Sequence, residues 1–180
     1  MLALYSLWAH PNDREVLLAT LGNPNLPTES LAESLNALEE ADQHFDIRCC
    51  EPVNPQEAYI AIAEHPNVSP EILKRLAHLD DEGVVREVLS NPRTPIEVLE
   101  EFVGSYDVFL RRSLASNPAL PLPVILTLLN DENDGVVEAM TATLTASPLW
   151  AEVEKELQFN TDMPEEWKQQ TVLSAIKSRA

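Results

Sequence analysis

Three prolines set the frame of this chain. Pro66, Pro92 and Pro118 are evenly spaced, each behind a polar residue: His65, Asn91 and Asn117. The phrases around them repeat as well, as HPNVSPEILKRL, NPRTPIEVLEEF and NPALPLPVILTL. A fixed period of this length is the signature of stacked repeats, in which each unit buries its apolar face against the next. Proline favours the first turn of a helix and cannot continue one. The predicted fold is therefore all-α: a solenoid of short helix pairs with a period of about 26 residues.

Each unit has the same internal order. A first helix is opened by proline, as in Ser69-Pro70-Glu71, where the acid suits the positive end of the helix dipole. Its apolar stripe is Ile72, Leu73 and Leu76, then Val98, Leu99 and Phe102, then Val124, Ile125 and Leu128. An acidic loop follows, at 80–83, at 106–107 and at 132–135. The second helix carries Val84, Val85, Val88 and Leu89, then Leu110 and Leu114, then Val136, Val137 and Met140. Helices this short need neighbours to hold them. The polar residue before each proline (His10, Asn23, His65, Asn91, Asn117 and Ser147) is expected to bond the amides and carbonyls of the turn, not to do chemistry.

Outside the regular array the period degrades, and the whole is expected to form a single domain. Residues 1–41 read as degenerate N-terminal repeats or a cap, with Asp13 capping a helix that ends at Leu21 and a further helix over about 28–40. An irregular insertion occupies 42–55, regular repeats 56–146, and a C-terminal cap 147–180. That cap is expected to hold helices over 148–158 and 163–178, since a solenoid must cover its end units.

The phrase NP-x-x-P-x-E-V-L, followed about a dozen residues later by D-x-x-V-R-x-x-L, resembles the leucine-rich repeat variant family. The matching residues are Asn91, Pro92, Pro95, Glu97, Val98 and Leu99, then Asp107, Leu110, Arg111 or Arg112, and Leu114. The resemblance covers about residues 56–130 and implies a right-handed superhelix akin to HEAT and armadillo arrays. The period here exceeds that family's usual two dozen, which points to true α-helices in both positions, as in HEAT-like repeats. Some members of the family bind an iron–sulfur cluster. That requires about four thiolates, and this chain has only the adjacent Cys49 and Cys50, so no cluster is expected.

The chain carries 30 acidic and 12 basic residues, a formal charge of −18. Such a field repels a phosphate backbone and favours solubility or a basic protein partner. No segment has the length and apolarity of a membrane span, the start lacks a basic signal-peptide region, and the cysteines offer no disulfide framework; a cytoplasmic protein is expected. The loop at 130–141 fails the calcium-loop pattern, since position twelve is Thr141. His44, Asp46, Cys49 and Cys50 form a poor tetrahedral set, so no metal or other cofactor is expected. No G-x-S-x-G, P-loop, Rossmann glycine cluster or HExxH occurs, and catalysis has no sequence support.

The expected function is a non-catalytic interaction module that presents a solenoid surface to a protein or peptide. Its candidate partner-binding residues are Arg86 and Arg112, one period apart, together with Trp150 and Trp167 towards the C-terminus. The arginines also have a structural alternative, pairing with Asp81 and Asp107 inside their own repeats. Two alternatives remain for the whole chain. One is a HEAT-like enzyme acting on nucleic acid or a small ligand, and the other is an acidic nucleic-acid mimic that occupies a basic protein.

Overall fold

A computed structural model of the chain describes residues 11–43 and 55–145. Among these residues nine α-helices and no strand occur. They are α1 (Pro11–Leu21), α2 (Thr28–Gln43), α3 (Gln56–Glu64), α4 (Pro70–Leu76), α5 (Glu82–Ser90), α6 (Ile96–Phe102), α7 (Val108–Ala115), α8 (Leu122–Leu129) and α9 (Asp134–Thr145). The chain divides into two compact units, Met1–Pro95 and Ile96–Ala180.

The sequence boundaries hold with small shifts. Helix α3 starts at Gln56 and stops one residue before the His65-Pro66 phrase, as expected. Helix α2 runs to Gln43, three residues past its expected end and into the stretch assigned to the insertion. Helix α1 begins at Pro11, two residues before Asp13, and ends at Leu21 as expected. The expected cap helices, with Trp150 and Trp167, lie outside the described residues. So do Trp8, His10, Cys49, Cys50 and Ser147, and most of the 42–55 segment.

Apolar spacing decides which side of each helix is covered. Leu31, Leu35 and Leu38 of α2 are buried, as are Ile72, Leu73 and Leu76 of α4 and Val84, Val85, Val88 and Leu89 of α5. In the second unit Val98, Leu99, Leu114, Val124, Ile125, Leu128, Val136, Val137 and Met140 fill the core. Each such side chain contributes about 1.5–3 kcal/mol relative to exposure. Within the first unit α3 packs on α5, and α1 on α3; within the second, α7 packs on α9. Helices α1, α3 and α5 thus follow one another in contact within the first unit, and α7 and α9 do so within the second.

The turns show why a polar residue must precede each proline. Proline drives the preceding residue out of the helical region. His65 sits at φ −64°, ψ 134° and Asn91 at φ −75°, ψ 126°, and both helices stop there. The turn is then closed by a backbone bond three residues on: Leu26 N–H to Asn23 O at 2.9 Å, Val68 to His65 at 3.0 Å, and Thr94 to Asn91 at 3.1 Å. A side-chain acceptor takes the amide two residues on, as in Asn25 to Asn23 Oδ1, Asn67 to His65 Nδ1, Arg93 to Asn91 Oδ1 and Ala119 to Asn117 Oδ1.

The donor half of these side chains reaches backwards along the chain. Asn91 Nδ2 donates to Ala63 O at 2.6 Å, and His65 Nε2 lies 2.8 Å from Asn23 O. The Asn67 amide can only donate, so Nδ1 of His65 accepts and Nε2 carries the proton. In this tautomer a histidine presents the same acceptor-plus-donor pair as an asparagine, which explains why the two residue types alternate at one repeat position. Asn67 Nδ2 adds bonds to Pro24 O and Leu26 O, and Thr28 Oγ1 donates to Asn67 O. The first two described turns are therefore stitched together laterally.

A second polar set recurs at the other end of each pair. Asp81, Asp107 and Asn133 stand one period apart and accept from Gly83, Phe109 and Gly135, each two positions further on. The acidic loops therefore supply helix caps. Asp81 Oδ1 also accepts from Gln56 Nε2 at 2.8 Å, which ties the cap of α5 to the start of α3.

Two stability experiments follow. Asn91→Ala removes the bond to Ala63 and the acceptor for Arg93, and should lower unfolding free energy by about 1–3 kcal/mol in urea titrations. Glu87 offers a pH-dependent case. Burial holds its carboxyl above the ordinary range, Glu64 pushes it the same way, and Arg86 opposes them in part. The ionised form is thus disfavoured in the fold, so stability falls as pH rises through that range. Glu87→Gln should raise the melting temperature at neutral pH, with the gain disappearing once the pH drops below the ordinary glutamate range.

Candidate interaction surface

The candidate arginines fall in different units. Arg86, on α5 of the first unit, is partly exposed and pairs with Glu82 one turn earlier at 3.5 Å. Arg112 projects from the last turn of α7 in the second unit and is exposed. Asp81 and Asp107, the acids expected to hold them, serve as helix caps. Arg86 and Arg112 are therefore described each within its own unit, and Trp150 and Trp167 lie outside the described residues.

The arginine that organises the second unit is Arg111. It is 7% exposed. Its Nε donates to Asp131 Oδ2 at 2.6 Å and its Nη2 to Asp131 Oδ1 at 3.0 Å, a bidentate pair. Its Nη1 donates to Ser105 O at 2.6 Å, and Glu132 Oε1 lies 3.9 Å from Nη2. Asp131 in turn accepts the Asn133 amide. One guanidinium therefore holds two loops, the one before α7 and the one before α9.

The repeat makes this arginine conspicuous. Counting one period either way from Arg111 reaches Val85 and Val137, both buried. Arg111 thus occupies a core position where both flanking repeats place valine. Its two partners, Ser105 and Asp131, are themselves one period apart and occupy equivalent loop positions. Aligning the arginines at 86 and 112 selects the outward-facing register; aligning the apolar stripe instead would have selected 111. That internal comparison was the available signal.

Electrostatics follow the geometry. Burial by itself would raise the Asp131 carboxyl, but the Arg111 hydrogen bond, the Asn133 amide and the arginine's charge outweigh it and hold it below its ordinary value. The same side-chain bond raises the Arg111 guanidinium against the opposing effect of burial, and the charges of Asp131, Glu132 and Asp107 add to it.

Around this clamp the surface turns aromatic and acidic. Tyr106, next to Ser105, is fully exposed, and Phe109, in the first turn of α7, is 63% exposed. Glu132, next to Asp131, is 92% exposed at its side chain. Phe109 donates its amide to the Asp107 cap, so the backbone that carries both aromatics is fixed at Ser105 and at Asp107. Among the described residues no group of three or more His, Cys, Asp or Glu side chains is placed to hold a metal ion, and no helix is long and apolar enough to cross a membrane.

No family model, curated protein or solved structure matches this chain.

The clamp can be tested directly. Arg111→Met should cost about 3–5 kcal/mol, because it leaves a carboxylate under cover without its partner. Arg111→Val with Asp131→Asn, which restores the valine of the flanking repeats and keeps an acceptor for Asn133, should cost less than the single change. Because the Asp131 pKa is lowered in the fold, the pair's contribution is present above the ordinary aspartate range and is lost as pH falls through the folded value. Acid titrations monitored by circular dichroism should show a shallower decline for the double variant.

Proposed function

We infer that this chain is a non-catalytic protein-interaction module, built as a right-handed α-solenoid of leucine-rich repeat variant or HEAT-like repeats. The repeat reading is supported by polar residues that do the same work at the same point of successive repeats, in the turns and in the caps. It is supported also by the way α1, α3 and α5 pack in succession, as α7 and α9 do. A cytoplasmic setting fits a chain whose two cysteines are adjacent and supply no disulfide framework.

The observation that carries the interaction reading is the Arg111 clamp. Replacing a core valine by a buried ion pair is on average neutral to unfavourable for stability. Local violations of a fold's own rule tend to mark functional positions. Here the violation fixes two loops that expose Tyr106, Phe109 and Glu132. Aromatic side chains carried on a fixed backbone are effective anchors, because less conformational freedom is lost when a partner covers them.

Affinity purification of the tagged full chain from its own cells should recover a protein, or a second copy of the chain, at a constant stoichiometry. Repeated recovery of nothing at comparable abundance would rule the module reading out. The enzyme alternative predicts a gel shift with duplex DNA at low salt, whereas the module reading predicts none.

A further inference from the structure

We propose that the Tyr106–Phe109 edge of the second unit, flanked by Glu132, docks a lysine- or arginine-rich segment of a partner protein. This rests on the interaction-module reading and specifies its partner. The aromatic contribution comes first. Tyr106 and Phe109 are both exposed and stand on either side of the Asp107 cap. Exposed aromatic faces attract the cationic heads of lysine and arginine, while their edges cover the aliphatic stems.

Charge chooses between apolar and basic occupants. Residues 96–145 carry eight carboxylates and two cations, Arg111 and Arg112. Arg111 is buried and committed to Asp131, so Arg112 alone offers exposed positive charge over that stretch. Glu132 stands at the rim of the clamp, close enough to Arg111 to be held near the aromatic loop and exposed enough to meet a partner. A purely apolar segment would bring nothing to these carboxylates, and an acidic one would be repelled. A basic segment satisfies both features at once. Its association should weaken steeply with added salt.

The acidity of the whole chain makes a simple polycation a poor probe, since it would bind anywhere. The discriminating probe is a phage-displayed library of random dodecapeptides selected on the full-length protein at physiological salt. Enrichment of peptides rich in lysine and arginine is expected. The enriched peptides should bind Tyr106→Ala/Phe109→Ala about tenfold more weakly than the native chain, as the loss of two cation–π contacts implies. Glu132→Gln should weaken them a fewfold. Glu33→Gln, an equal charge change on the exposed side of α2, should change affinity less than twofold. Unchanged melting curves would confirm that all variants fold, as the exposure of the altered side chains predicts.

Enriched peptides without basic residues would overturn the proposal. So would basic peptides that bind the aromatic double variant as well as the native chain, and in both cases the module reading would stand. No enrichment at all would count against the proposal and against the module reading together.

Discussion

Everything regular in this molecule depends on one steric fact. A residue that precedes proline is pushed out of the helical region, and the helix ends with its last carbonyls and the next amides unprovided for. Asn or His at that position resolves the difficulty with a single planar side chain that accepts on one atom and donates on another. The acceptor closes the turn locally. The donor of His65 reaches Asn23, and that of Asn91 reaches Ala63, so closing a turn also fastens it to chain laid down one repeat earlier. Short helices that would not persist alone are held in place by the same bonds that terminate them.

Against this regular background the Arg111–Asp131 pair is the departure. Valine at 85 and at 137 shows that the position is satisfied by apolar packing. An arginine there demands a fully formed partner set, and it has one in Asp131 and Ser105. What the exchange provides is position: two loops that would otherwise be joined to the fold only at their ends are held in their middles. The backbone that carries the exposed aromatic and acidic side chains is held at those anchor points.

Helix positions, core stripes and the role of the pre-proline residues were legible in the sequence because each is a local pattern repeated several times. Ile72, Leu73 and Leu76 announce their face by spacing alone, and Pro66 and Pro92 announce where the preceding helix must stop. Arg111 was harder. Arg111 and Arg112 are adjacent, and charge similarity with Arg86 favours the exposed residue of the two, whereas apolar register favours the buried one. The bidentate partner lies far along the chain, in the next loop. The exposure of Tyr106 was not legible either, since an aromatic in a loop gives no sign of whether a neighbour covers it.

The buried pair also constrains how this protein can change over generations. A repeat with valine and a repeat with arginine and aspartate are both workable, but the steps between them leave an orphaned charge under cover. A lineage moving from one to the other must cross that intermediate or alter both codons together. Positions 111 and 131 should therefore be inherited as a unit, while the exposed tyrosine and glutamate beside them remain free to drift one at a time. The scaffold of the surface is thus locked by epistasis, and its specificity is left open to gradual change.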